Sequence, residues 1–398
     1  MSPAALEGVR VLEAATLGAA PFACTLLAEL GAQVTKIEPP GKGDPLRAWG
    51  NQKDGIGLLS KSLGRNKQGI SLNLRSEQGR DILRDLVRQS DVVVFNFRPQ
   101  TLKKWGLDYE SLAAINPGVI VLQVTGFGSG GPYEERPGFG TIGEAMSGFS
   151  HVTGQKGGPP TLPRFMLADG VASLSGAYAI LAALYHRDAN GGTGQCIDMS
   201  LWEPMARLAE QLVLEYDQLG LIAERNGNRW DISAPRNAYQ TKDKRWIAMA
   251  SSAPSIAMRV FRAIGRDDMA DNPEFQEAQS RLKHAELVDT AVAEWIAERT
   301  LDEAMAVFVE YEVAAGPIYD AQQIVEDPHG KARGMHVRVP DDELGSMLVQ
   351  GPIAKFSKTP GEVRHLGPGI GQDNRSVYAS KLGLTDAEID ELERDGII

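Results

Sequence analysis

Along the first 130 residues the hydrophobic positions fall into two alternating patterns. Short continuous apolar runs, "GVRVLEAA", "AQVTKIEPP", "DVVVFNF" and "GVIVLQVTGFG", are bounded by turn residues and read as buried strands. Between them, "PFACTLLAELG" and "SEQGRDILRDLVRQS" space their apolar side chains at helical intervals. Pro21 suits a first helical turn and Gly31 a stop, while Ser76 reads as a cap with Glu77 in the turn it opens. Strands alternating with helices over connections of this length predict right-handed crossover units, hence an α/β doubly wound parallel sheet covered on both faces.

The texture changes after Gly154. "GQKGGPPTLPRF" is a Gly/Pro loop leading into a helix from about Asp169 to His186, whose apolar stretch is broken by Gly170, Ser173, Ser175 and Gly176 and so reads as a buried core helix. "GQCIDMSL" reads as a strand and "WEPMARLAEQLVLEYDQLG" as one helix. "NAYQT" and "WIAMA" flank the turn "KDKR" and predict a hairpin, with helices following to about Thr300. "DAEIDELERDG" is an acidic amphipathic helix, and no internal repeat appears. The predicted division is a large α/β domain over 1–224, a smaller α+β domain over 225–325, and a segment 326–398 returning to the large domain.

Composition narrows the function classes. The net charge of −11 argues against a nucleic-acid or anionic-membrane surface. The N-terminal stretch lacks the basic region and apolar run of a secretion signal, and no window of about 18 uninterrupted apolar residues exists. The expectation is a soluble, cytoplasmic protein. Cys24 and Cys196 lack metal-ligand spacing and read as buried reduced thiols; no metal site is expected. Four loops, 14–21, 38–47, 96–106 and 125–133, follow strands, where open α/β sheets bind ligands. Lys67, Arg98, Lys103 and Lys104 form a local positive set suited to phosphates. No G-x-G-x-x-G follows the first strand, so a nicotinamide cofactor has no support.

The stretches "GVRVLEAATLGAAPFACTLLAELGAQVTKIEPPGKGDPLR", "GRNKQGISLNL", "DVVVFNFRPQTLKKWGLDYESL", "NPGVIVLQVTGFGSGGPYEERPGFG" and "GQCIDMSLWEPM" together resemble the family III CoA-transferases, with the α-methylacyl-CoA racemases as relatives. The resemblance runs in order over essentially the whole chain. It implies CoA or an acyl-CoA as substrate, a small carboxylic acid as acceptor, and an interlocked homodimer of two-domain subunits. It makes Thr16, Leu17, Ala19, Lys67, Asn96, Phe97, Arg98 and Lys104 candidates for CoA contacts.

The same resemblance raises a difficulty within "RPGFGTIGEAMSG". It implies a nucleophilic Asp where this chain has Gly140, and the His of the racemase-type relatives is replaced by Phe139. Three readings follow. Another carboxylate takes over, either Glu144, one helical turn further on, or Asp169, which also reads as a helix N-cap. Alternatively the chain is a quiet subunit partnering a paralogue. In the third reading the fold serves acyl-CoA racemisation or isomerisation, with His151 as base. In the second domain, "SAPRN" replaces a glycine loop that covers the active site in some relatives. Arg236 there, and Arg164 in "TLPRF", suit a carboxylate on the acyl group by bidentate pairing, or else an interdomain salt bridge.

Overall fold

The computed structural model describes residues 4–398. Six parallel strands form the main sheet, in spatial order Lys67–Ser71, Gln33–Glu38, Arg10–Ala14, Val92–Phe95, Ile120–Thr125 and Cys196–Ser200. Chain order reverses between Arg10–Ala14 and Val92–Phe95. The loops leaving those two strands diverge to opposite faces and leave a crevice at their carboxyl ends.

Each face of the sheet carries its own core. On one side Leu12, Ile70, Val93, Phe95 and Val121 pack with helix Glu77–Val87 and the C-terminal helices Asn374–Leu382 and Asp386–Arg394. On the other, helices Ala19–Glu29 and Leu167–Ala189 lie together through small residues, Ala19, Ala20 and Ala23 against Ala172 and Ala177. The second of these helices begins two residues before the position its sequence suggests. It is long and apolar enough, by length and composition, to cross a membrane, with 44% of its most apolar window buried. The helix expected over 202–220 is two helices, Glu203–Leu208 and Glu210–Leu219, divided at Ala209, and the second buries none of its residues. Cys24 is buried as expected; Cys196, on an edge strand with one side open, is exposed.

The strand at the opposite edge is sealed by residues from far along the chain. Gly69 N–H donates to Asp373 Oδ2 at 2.7 Å, Ser71 N–H to Asn374 Oδ1 at 2.9 Å, and Tyr378 Oη to the Ser71 carbonyl at 2.7 Å. Residues 4–150, 162–222 and 329–398 make up this compact unit.

Residues 151–161 and 223–328 form the second unit, so the Gly/Pro segment after Ser150 groups with the small unit and not with the large one. Its antiparallel sheet, ordered Ala315–Pro317, Trp246–Ala250, Arg236–Gln240, packs Tyr239 and Ile247 against Val260, Val292, Ile296 and Phe308. Asp289 ties the strand to its neighbours, accepting from Tyr239 Oη at 2.7 Å, Asn237 Nδ2 at 3.0 Å and Arg229 Nε at 2.6 Å.

Candidate active site

The crevice at the sheet's reversal is built from the loop after the first strand. Thr16 N–H donates to Asn96 Oδ1 at 3.1 Å, and Asn96 Nδ2 returns to the Thr16 carbonyl at 2.7 Å. The side-chain amide thus clips the two diverging loops together. Leu17 follows in the left-handed region, φ 64°, with its N–H on Asp44 Oδ1 at 3.0 Å. Gly18 caps helix Ala19–Glu29, and beside it lies the carboxylate of Asp169 from the first turn of helix Leu167–Ala189.

Two glycines make room for that carboxylate. A methyl group at Gly18 would stand 3.1 Å from Asp169 Oδ1, and one at Gly140 would stand 2.4 Å from Oδ2. Gly140 opens helix Gly140–Met146 without a positive φ, so backbone freedom does not explain it. The space does. The position that lacks a carboxylate in the sequence is where the carboxylate of Asp169 arrives from another helix. Asp169 is also no N-cap: Met166 holds that place, and Asp169 sits three residues further in.

Burial raises the Asp169 carboxyl above the ordinary carboxylate range; the Ala19 N–H opposes this by hydrogen bonding, and the charge of Glu144 adds to the rise. Glu144 is 4% exposed and accepts from Ala168 N–H through Oε1 at 3.3 Å. It borders the site from behind instead of facing the cavity.

That cavity, about 290 Å³, is lined by Thr16, Leu17, Gly18, Ala19, Asn96, Arg98, Gly126, Glu134, Arg136, Phe139 and Asp169, among others. Thr16 also belongs to the wall of a larger one, about 700 Å³, between Glu38–Ala48, Leu72–Arg75, Phe97 and Trp105. Phe97 and Trp105 meet edge to face there at 5.2 Å, and Lys42, Arg47 and Arg75 supply positive charge. Arg47 already pairs with Glu38 at 2.7 Å.

The candidates therefore separate. Thr16, Leu17, Ala19, Asn96, Phe97 and Arg98 line one or both cavities. Lys67 does not: it is 1% exposed, with Nζ 2.7 Å from Glu13 Oε2 and 2.7 Å from the Pro21 carbonyl, because it begins an inner-facing strand position and not a surface turn. Lys104 stands exposed at the end of helix Pro99–Trp105 and lines neither cavity. Arg164 is exposed outside both. Arg236, in the small unit, donates to the Asn228 carbonyl at 2.7 Å and lies over Trp230. His151 Nε2 is 3.1 Å from the Ala223 carbonyl and is likewise in the small unit. Arg75, Trp105, Gly18 and Arg136 were not singled out from the sequence. Arg75 and Trp105 could have been found from their places beyond strand ends, and Arg136 from the "RPGFG" stretch. Among the described residues no cluster of His, Cys, Asp and Glu could hold a metal ion.

Residues 6–374 match the family model described as CoA-transferase family III. The chain is 40% identical over 397 residues to a succinyl-CoA–D-citramalate CoA-transferase of Chloroflexus aurantiacus, covering 100% of this chain and 98% of that one. It is 37% identical to the beta subunit of a succinyl-CoA–L-malate CoA-transferase from the same organism, covering 99% and 98%. A crystal structure of a CAIB/BAIF family protein from Brucella suis superposes with a TM-score of 0.83 at 30% identity, covering 96% and 100%.

Proposed function

The chain belongs to CoA-transferase family III and is a CoA-transferase, and on that premise we propose that Asp169 is its nucleophile. The observation that carries this is the two-glycine recess: Gly18 and Gly140 leave Asp169 Oδ1 and Oδ2 unobstructed on a cavity wall, with the Ala19 N–H on the carboxylate. Attack of Asp169 on the thioester carbonyl forms a mixed anhydride and expels CoA thiolate. The thiolate returns to the Asp169 carbonyl, giving an enzyme thioester and releasing the donor carboxylate. The acceptor carboxylate then attacks that thioester, displacing CoA thiolate and forming a new anhydride. Thiolate attack on the acceptor's carbonyl completes the transfer and regenerates the Asp169 carboxylate. Backbone N–H groups at the start of helix Ala19–Glu29 are placed to stabilise the developing oxyanions.

The larger cavity suits the nucleotide end of CoA. Its aromatic pair offers a face for the adenine, and Lys42 and Arg75 offer charge-assisted contacts to phosphate. Thr16, common to both walls, marks the passage of the pantetheine arm toward Asp169. Arg98 and Arg136 line the smaller cavity, and among the described residues neither pairs with an acid. Arg136 stacks on Tyr133 at 3.7 Å, and two guanidinium groups without an acid partner on this wall support a dicarboxylic acyl group, as in the succinyl-CoA that the relatives' names specify.

The working form is a homodimer in this reading. Tyr178, Tyr185, Leu208, Val213, Leu219 and Ile222 are all more than 60% exposed on the large unit, and a second copy is the occupant the family resemblance implies for them. The intact recess around Asp169 supports an active chain in preference to a catalytically silent one. Asp169→Asn is expected to abolish exchange of labelled succinate into succinyl-CoA while leaving CoA binding intact. Retained exchange would overturn the assignment.

A further inference from the structure

Four ionisable side chains lie buried beneath the loop that faces Asp169. They are Glu13, Lys36, Asp44 and Lys67, none more than 6% exposed. They form one line: Asp44 Oδ2 to Lys36 Nζ at 2.8 Å, Lys36 Nζ to Glu13 Oε1 at 2.9 Å, Glu13 Oε2 to Lys67 Nζ at 2.7 Å. Two acids balance two bases. Such a chain gives little net stability over well-packed apolar residues of the same volume, because desolvation consumes most of the Coulomb energy. What apolar residues could not reproduce is its grip on the backbone.

That grip falls on one short segment. Asp44 Oδ1 accepts from Leu17 N–H at 3.0 Å, Lys36 Nζ donates to the Ala15 carbonyl at 3.2 Å, and Lys67 Nζ to the Pro21 carbonyl at 2.7 Å. Asn96 holds Thr16 from the other side. Ser173 Oγ lies 2.7 Å from the Ala19 carbonyl and 2.6 Å from that of Asp169, joining the segment to the helix that carries the carboxylate. Leu17, at φ 64°, is in a conformation that is costly for a side-chain-bearing residue and persists only when its surroundings impose it. The turn it makes sets Gly18 and Ala19 against the Asp169 carboxylate, a methyl at Gly18 standing 3.1 Å from Oδ1, and points the Ala19 N–H at it.

We infer that Asp44, Lys36, Glu13 and Lys67 are positioning residues for CoA transfer: by holding Leu17 in its left-handed turn they aim the Ala19 N–H at the Asp169 carboxylate. The inference rests on Asp169 being the nucleophile. None of the four touches that carboxylate, so their effect passes through the backbone. Both protonation state and placement of the nucleophile depend on it. The Ala19 N–H favours the ionised carboxylate, so slackening the turn raises the Asp169 pKa, and activity that needs the anion is lost at higher pH than in the wild type. The other charged groups facing Asp169 are Glu144 behind it and Arg98, Glu134 and Arg136 across the cavity; the variants below leave all four in place.

The test is a double-mutant cycle between Asp44→Asn and Leu17→Gly, read by kcat as a function of pH. Asparagine keeps an acceptor for the Leu17 N–H but breaks the Lys36 pair; glycine adopts positive φ without being held there. Asp44→Asn in the wild-type background is expected to lower kcat roughly tenfold, equivalent to about 1.4 kcal/mol, and to shift the acid limb upward. With glycine at 17 the same substitution is expected to cost less than about threefold. Lys36→Gln, one step further from Leu17 and outside both main cavities, carries the same cycle if Asp44→Asn does not yield folded enzyme. Equal losses in both backgrounds with an unmoved acid limb would make the chain merely structural and overturn the inference. Hydroxylamine trapping on the wild-type enzyme during turnover is expected to modify Asp169. Modification of another carboxylate instead would sink the nucleophile assignment, independently of the cycle.

Discussion

Gly140→Ala is the smallest change that addresses the glycine in the expected nucleophile position. The added methyl would stand 2.4 Å from Asp169 Oδ2, 3.3 Å from its Cγ and 3.6 Å from its backbone nitrogen. A close C···O approach is about 3.3 Å, so the carboxylate must retreat by about 0.9 Å. The side chain can move, so the protein folds, and alanine at the start of helix Gly140–Met146 is the better helix former. The nucleophile, however, is displaced. A misplacement of about 1 Å in a reacting group costs on the order of 100-fold in rate, or about 2.7 kcal/mol in the barrier. Steady-state exchange between succinyl-CoA and labelled succinate, with thermal melts run alongside, separates the effects: kcat falls about 100-fold while the melting temperature does not fall. Gly140→Asp, with more atoms in the same space, should be worse. An alanine variant within about threefold of wild-type kcat, or an aspartate variant more active than wild type, would refute the reasoning that the space at Gly140 is needed to place Asp169.

Glu144→Gln keeps an acceptor for Ala168 N–H but removes the negative charge that raises the Asp169 pKa. Since the reaction needs ionised Asp169, lowering that pKa moves the acid limb of the kcat profile to lower pH; complete loss of activity instead would make Glu144 a direct participant. Lys67→Met strands Glu13 with Lys36 alone and should cost about 3–5 kcal/mol of stability in chemical denaturation, with CoA affinity per folded molecule unchanged in calorimetric titration. Sedimentation at micromolar concentration should find a dimer, and a compact 43.0 kDa species would count against a second copy covering the exposed tyrosines and leucines.

The parallel sheet was legible because its strands are short apolar runs whose partners are all of one kind, and Pro21, Gly31 and Ser76 punctuate them visibly. Lys67 was misread for the opposite reason. A lysine after "GRN" looks like a surface charge, and its partner Glu13 lies more than fifty residues away on a strand two places across the sheet. The site failed in a similar way at Gly140. A reading along one helix finds Glu144 a turn further on, whereas the carboxylate that fills the gap belongs to a different helix, reached through a loop assigned to the other unit. Local periodicity carries no information about such encounters. Asp169 was within reach as a candidate, but its placement three residues inside the helix, which removes the capping explanation, depended on a helix start two residues earlier than the pattern showed. Arg236, read from the segment that replaces the glycine loop, and Arg164, read from its charge, line neither of the two cavities around Asp169.

The sealing of the Lys67–Ser71 edge has a consequence for how this protein is made. Ser71 and Asn374 are 303 positions apart. At a ribosomal pace of about 5–20 residues per second, the strand would wait about 15–60 s after its own synthesis for the residues that satisfy its outer N–H and carbonyl groups. Throughout that interval a flat edge with unpaired backbone groups is available to any other nascent chain. Chaperone dependence and loss to aggregates on overexpression should therefore concentrate in this window, and fragments ending before Asp373 should aggregate through the Lys67–Ser71 edge even when the rest of the sheet has folded.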